Sequence, residues 1–114
     1  MYYKGQGVKQ DYHKAFEWFT KAANQGDAEA QFNLGLMYND GQGVKQDYHK
    51  AVEWYTKAAN QGDADAQLNL GVMYYKGQGV RQDMHKAKDF FGKACDNELQ
   101  SGCDNYRELN EKGY

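Results

Sequence analysis

Along this chain the apolar positions follow a helical period. Between Asp47 and Asn60 the small residues Ala51, Ala58 and Ala59 and the aromatics Trp54 and Tyr55 recur at three- and four-residue spacings and form one broad face, with His49, Glu53 and Lys57 as the opposite, polar stripe. Between Asp27 and Asn39 the line Ala30, Leu34, Tyr38, with Gly35 beside it, forms a second apolar face. The pattern predicts two helices per unit. Helix A runs from about Asp27 to Asn39, where Asp27 can cap the free amides and Gly41 can end the helix in a left-handed conformation; helix B runs from Asp47 to about Asn60 and is stopped by Gly62. Between them lies the turn Gly41-Gln42-Gly43-Val44, whose valine is expected to plug back into the core. Gly35 and Gly71 stand in mid-helix, where glycine costs about 1 kcal/mol relative to alanine. Close approach of a neighbouring helix is the compensation this implies.

The pattern returns every 36 residues: GQGVKQDYHKA occurs at 5 to 15 and 41 to 51, and GQGVRQDMHKA follows at 77 to 87. Residues 1 to 36 and 37 to 72 are identical at 29 of 36 positions, and Asp11, Asp47 and Asp83 recur as N-cap candidates. A helical pair that returns at a fixed period reads as an all-α solenoid of stacked antiparallel helical hairpins, one repeat domain over 1–114. Its expected divisions are a partial repeat lacking most of helix A at 1–26, repeats at 27–62 and 63–98, and a capping helix within 99–114.

Both ends depart from the repeat. Met1, Tyr2 and Tyr3 align with Met37, Tyr38 and Asn39, so the chain is expected to open in the last turn of a helix A. The apolar face of the first helix B, with Phe16, Trp18 and Phe19, is then expected to be partly exposed, as in a fragment of a longer protein or a chain that self-associates. At the other end Arg107 falls where Gly35 and Gly71 stand and Tyr106 replaces Leu34 and Leu70, which implies a terminal cap with a polar outer face and no further helix B.

Composition agrees with close helix packing: 12 alanines and 17 aromatic residues, with neither isoleucine nor proline. A formal net charge of -2 gives no support for binding nucleic acid or an anionic membrane. No apolar run approaches the roughly 20 residues of a membrane span, and Met1-Tyr2-Tyr3-Lys4-Gly5 has no signal-peptide pattern, so no membrane insertion is expected.

Candidate chemistry is sparse. His13, His49 and His85 share a repeat position, but stacked helices would hold them roughly 10 Å apart, too far to share one metal. Each starts a charged stripe at four-residue intervals, as on a solvated face. The Gly-x-Gly turns lack the third glycine and preceding strand of a dinucleotide site. Ser101 is the sole serine and opens no Ser-x-x-Lys motif. The carboxylates stand at caps or in charged stripes. No catalytic residue, metal or cofactor is expected, and the chain does not read as an enzyme.

The pattern Ala28-x-Ala30-x3-Leu34-Gly35-x2-Tyr38-x2-Gly41-x-Gly43-Val44-x2-Asp47-x2-Lys50-Ala51-x2-Trp54-Tyr55-x-Lys57-Ala58-Ala59-x2-Gly62 resembles the Sel1-like repeat, a relative of the tetratricopeptide repeat. The resemblance implies a scaffold that binds a protein or peptide, often in bacterial envelope or secreted proteins. By analogy with tetratricopeptide relatives, helix A lines the concave side of the superhelix. Residues pointing away from its packing line, Glu29, Asn33 and Leu36 in one repeat and Asp65, Asn69 and Val72 in the next, are the expected binding surface. Asparagine donates and accepts at once, so Asn33 and Asn69 suit the backbone of an extended peptide, while bonds to a neighbouring helix or to water are the alternative. The competing function is an enzyme-like binder of β-lactams or peptidoglycan fragments, as linked with cysteine-rich relatives.

Cys95 and Cys103 fall at the end of the third helix B and the start of the cap helix, positions that an antiparallel hairpin brings together. The arrangement is similar to the disulfide hairpin of cysteine-rich Sel1-like proteins; two buried reduced thiols are the alternative. A disulfide would fit a periplasmic or secreted location.

Overall fold

The computed structural model of the chain describes residues 8–114, which form six helices: α1 (Val8–Asn24), α2 (Ala28–Asp40), α3 (Tyr48–Asn60), α4 (Ala64–Lys76), α5 (Met84–Asp96) and α6 (Gln100–Glu111). Among the described residues there is no strand. Helices α2, α4 and α6 are successive A helices, and α1, α3 and α5 are successive B helices. Each packs mainly on its neighbours in sequence, giving a solenoid 47 Å long and 26 by 24 Å across. The expected start of the chain in a helix A, at Met1, Tyr2 and Tyr3, lies outside the described residues.

The helices begin and end where side-chain chemistry directs. Asp27, Asp47, Asp63 and Asp83 each accept a hydrogen bond from the backbone N–H three residues on, at 2.9 to 3.1 Å. Such a cap is worth about 1 kcal/mol. Gly41 and Gly77 close α2 and α4 in the left-handed conformation, and their N–H groups donate to the carbonyls of Met37 and Met73. Asp11 does not act as a cap: α1 begins at Val8, four residues before the position that matches the start of α3. In the next repeat the same sequence is held out of the helix, because Asp47 N–H donates to the Tyr38 carbonyl at 2.9 Å and Gln46 Nε2 to that of Asn39 at 2.7 Å.

Helices α2 and α4 each pack between the B helix that precedes them and the B helix of their own repeat. Gly35 of α2 faces Tyr55 of α3 so closely that a Cβ there would stand 2.6 Å from the ring, and Gly71 of α4 meets Phe91 of α5 at the same distance. The mid-helix glycines thus admit the aromatic wedge of the following helix. The central core joins Ala51, Tyr55, Ala58 and Ala59 of α3 to Ala66, Leu70 and Met73 of α4, with Leu36 and Val80 packed against it. Trp54 reaches back from α3 onto Ala23, Ala30 and Leu34. The polar stripes begun by His13, His49 and His85 are exposed.

Two buried polar side chains set the height of one helix against the next. Gln31 and Gln67 are 5% and 4% exposed. Gln67 Nε2 donates to the Ala59 carbonyl at 3.1 Å, and its Oε1 accepts from Asn97 Nδ2 at 2.9 Å. Gln31 repeats the arrangement one period earlier, with Ala23 and Gln61 as partners at 3.2 and 2.8 Å. Each amide therefore ties the end of the preceding B helix to the turn after the following one.

Gln67→Ala removes both hydrogen bonds across the stack, leaving the Ala59 carbonyl its bond from Gly62 N–H and the Asn97 amide its bond to the Lys93 carbonyl, and is expected to cost about 1 to 3 kcal/mol in urea unfolding. Gln25→Ala, at an exposed position, is expected to stay within about 0.5 kcal/mol.

Candidate functional site

The six residues expected to form a binding surface fall into three environments. Glu29 and Asp65, in the first turns of α2 and α4, are exposed. Asn33 and Asn69 are half-buried, and Asn69 Nδ2 donates to the Tyr55 hydroxyl at 3.4 Å. Phe19 stands at Tyr55's position one repeat earlier and has no hydroxyl to offer Asn33. Leu36 and Val72 are half-buried instead of pointing fully outward. Leu36 packs against the core that contains Tyr55, Leu70 and Met73, and Val72 against Ala87, Phe91 and Leu109, because each A helix is contacted from two sides.

Tyr55 is 1% exposed, and burial pushes its phenol up to about 12, with the Asn69 hydrogen bond opposing the shift.

Between α4 and α6 lies a cavity of about 240 Å³. Val72, Phe91 and Leu109 give it apolar walls, while Lys76, Asn105 and Glu108 bring polar groups to it. Asn105 stands in the 36-residue series of Asn33 and Asn69, a member the sequence reading missed although the spacing pointed to it. Phe91 has replaced the tyrosine whose hydroxyl meets Asn69 one repeat earlier, so the matching place beside Asn105 lacks that hydroxyl.

The last hairpin is built differently. Cys95 and Cys103 form a disulfide with Cα atoms 4.5 Å apart, at the end of α5 and in the first turn of α6. They occupy the positions at which Ala59 and Gln67 share a hydrogen bond, so a covalent bond replaces the buried amide. The helices approach so closely that a Cβ on Gly102 would lie 2.7 Å from the Ala94 Cβ and from the Phe91 carbonyl oxygen. That explains glycine where Ala30 and Ala66 stand in the other A helices. Two local devices are lost at the same turn. Leu99 replaces the capping aspartate and makes no side-chain cap, and Glu98 adopts φ 69° where Gly26 and Gly62 adopt 95° and 93°. Lys88 secures the far end of α6, donating to Asn110 Oδ1 at 2.8 Å and to the Tyr114 carbonyl at 2.6 Å.

Among the described residues, no three His, Cys, Asp or Glu side chains gather as a metal site, and no helix is long and apolar enough to cross a membrane.

Six helices in 36-residue register, locked by buried amides and closed by a cystine, define an α-solenoid of helical hairpins. The Sel1 repeat family model matches residues 1–27, 28–63 and 64–99, and the chain belongs to that family. Among solved structures, a protective antigen of uropathogenic Escherichia coli strains with an SLR fold is similar at 38% identity and TM-score 0.90, over 97% of this chain and 24% of the other. A Sel1 repeat protein of Oxalobacter formigenes is similar at 38% identity and TM-score 0.89, over 100% of this chain and 46% of the other. Cysteine-rich protein B of Helicobacter pylori is similar at 34% identity and TM-score 0.77, over 80% and 68%. The chain thus spans about a quarter and about half of the first two structures. No curated relative matches it. Proteins of the Sel1 repeat family generally serve as protein-interaction scaffolds and are generally non-catalytic.

Two measurements follow. Reducing the disulfide is expected to lower stability by about 2.5 kcal/mol, the loop-closure value for so short a loop, and Leu99→Asp to restore about 1 kcal/mol of it. Because Tyr55 ionises near 12 when folded and near 10 when unfolded, its contribution is complete below pH 10 and lost as pH rises toward 12, a fall of about 2 kcal/mol. Tyr55→Phe, which installs the residue already present at position 91, should flatten that alkaline decline in pH-dependent urea titrations.

Proposed function

We propose that the chain is a non-catalytic scaffold that holds an extended segment of a partner protein along helices α2, α4 and α6. Glu29, Asn33, Leu36, Asp65, Asn69 and Val72 flank the segment in this reading. The cavity between α4 and α6 takes one of its apolar side chains. The carrying observation is the recurrence of Asn33, Asn69 and Asn105 at one repeat position, the last of them beside that apolar cavity. A carboxamide pairs with both the N–H and the C=O of a peptide backbone, and an apolar pocket beside it supplies an anchor. Catalysis has no comparable support, since acid–base work calls for clustered titratable groups in a cleft.

The disulfide supports an oxidising, extracytoplasmic compartment, periplasmic or secreted. Its role in this reading is mechanical. It fixes α6, one wall of the anchor cavity, to α5, so the cavity is formed before the partner arrives and less ordering entropy is lost on binding.

Peptides selected from a displayed random library on the immobilised protein provide the test. Asn69→Ala combined with Asn105→Ala is expected to weaken a selected peptide about tenfold or more, and Glu53→Gln on the opposite face to leave it unchanged. Unchanged affinity in the asparagine double variant, or in Asn33→Ala with Asn69→Ala, removes the amide series from the reading. A thermal shift with β-lactams or peptidoglycan fragments would favour the competing small-molecule function.

A further inference from the structure

The cavity of about 240 Å³ between α4 and α6 is walled by three columns whose side chains become shorter from one repeat to the next. We propose that it takes the side chain of a tyrosine from the partner segment, flanked by acidic residues, with the phenol hydroxyl bonded to Asn105. This deepens the scaffold reading above and rests on it.

The preceding repeat supplies the template. There the places of Val72, Phe91 and Leu109 are held by Leu36, Tyr55 and Met73. Leucine to valine removes a methylene, tyrosine to phenylalanine removes a hydroxyl, and methionine to leucine shortens the reach. Tyr55 fills its place so fully that it is 1% exposed, with its hydroxyl 3.4 Å from Asn69 Nδ2. At the later step the buried ring of Phe91 remains and the hydroxyl is gone, while the carboxamide is kept: Asn105 is half-buried and lines the cavity. The chemistry taken away is that of a phenol oxygen, and a partner's tyrosine returns it. Its ring lies against apolar walls, and its hydroxyl meets a group that phenylalanine cannot use. The volume is below the roughly 300 Å³ at which sites for whole small ligands begin, so it suits a single side chain.

Charge at the mouth selects what surrounds the tyrosine. Lys76 stands where the preceding repeat has Asp40, a reversal of sign. The other charged residue of the lining, Glu108, has Lys112 at 3.3 Å, and Lys76 takes part in neither ion pair found among the described residues. The charge left over at the mouth is positive, which favours carboxylates on either side of the anchor.

Two capped tripeptides, acetyl-Glu-Tyr-Glu-amide and acetyl-Glu-Phe-Glu-amide, titrated into the full chain provide the test, with the Asn105 side-chain amide and the Val72 and Leu109 methyl groups followed by NMR. The tyrosine peptide is expected to bind about fivefold more tightly, the worth of one hydrogen bond, and Asn105→Ala to erase the difference. Phe91→Tyr, which installs the residue already buried at position 55, is expected to weaken the tyrosine peptide to the level of the phenylalanine peptide or below. Lys76→Gln is expected to weaken both alike and leave their ratio unchanged; unchanged affinities in that variant overturn the acidic flank. A pocket with no use for the hydroxyl prefers the more apolar ring. Equal or tighter binding of the phenylalanine peptide therefore overturns the tyrosine assignment and leaves the apolar anchor of the proposed function standing. Absence of shifts at these groups with both peptides overturns the assignment and removes the cavity from that reading as well. A tyrosine preference that survives both Asn105→Ala and Phe91→Tyr overturns the role given to Asn105.

Discussion

The carboxamide of Gln67 is the contact on which the stacking depends. Packing between alanines and aromatic rings is strong but non-directional, and a face that repeats nearly unchanged every 36 residues offers many near-equivalent ways to stack. A buried amide removes that freedom. It must find an acceptor for its N–H and a donor for its oxygen, and the Ala59 carbonyl and Asn97 amide stand at the right height in a single register. A slipped arrangement would break both bonds and leave the buried Gln67 amide without partners, at about 1 to 3 kcal/mol. Gln31 enforces the same rule one period earlier, so each hairpin is set against the next by a directional bond.

At the C-terminal end that rule is met by other means. The cystine stands where Ala59 and Gln67 meet one repeat earlier, and the same turn gives up an aspartate cap at Leu99 and a left-handed glycine at Glu98. These losses belong together. A helix held covalently in its first turn no longer relies on a cap to fix where it starts, and a turn closed by a cross-link tolerates a residue that strains it by about 1 kcal/mol. The tighter approach then demands Gly102, a residue whose reason is invisible until the disulfide is in place.

Elements whose cause is local were readable from the sequence. Asp27, Asp47, Gly41 and the alternation of A and B helices follow from capping chemistry and periodicity within a dozen residues, and the period itself implied a solenoid. Gly35 and Gly71 were readable as close approaches, though not which ring approaches them. Gln31 and Gln67 were passed over because a glutamine on a helix reads as solvated; their partners come from three separate segments. One signal was available, since Cys103 falls in the same column as both glutamines and marks that column as interior. The start of α1 departed from expectation for a similar reason: Asp47 caps only because Tyr38 and Asn39 hold the preceding turn in place. The six surface residues divided among exposed, hydrogen-bonded and packed environments because an A helix is gripped from two sides, a constraint that one helix's periodicity does not display.

Near-identity between repeats also bears on where specificity can reside. Columns that never change, such as Ala51 and Ala87 or Asp47 and Asp83, build the same structure at each step and cannot distinguish one step from the next. Discrimination has to come from columns that vary while the backbone stays constant. Tyr55 against Phe91 is the clearest on the A-helix side. With tyrosine the hydroxyl reaches Asn69; with phenylalanine, Asn105 stands beside a cavity of about 240 Å³. The tyrosine repeat holds its asparagine in an internal hydrogen bond, and the phenylalanine repeat leaves Asn105 beside the cavity. In a rigid array, such a difference produces a distinct site without altering the scaffold that presents it.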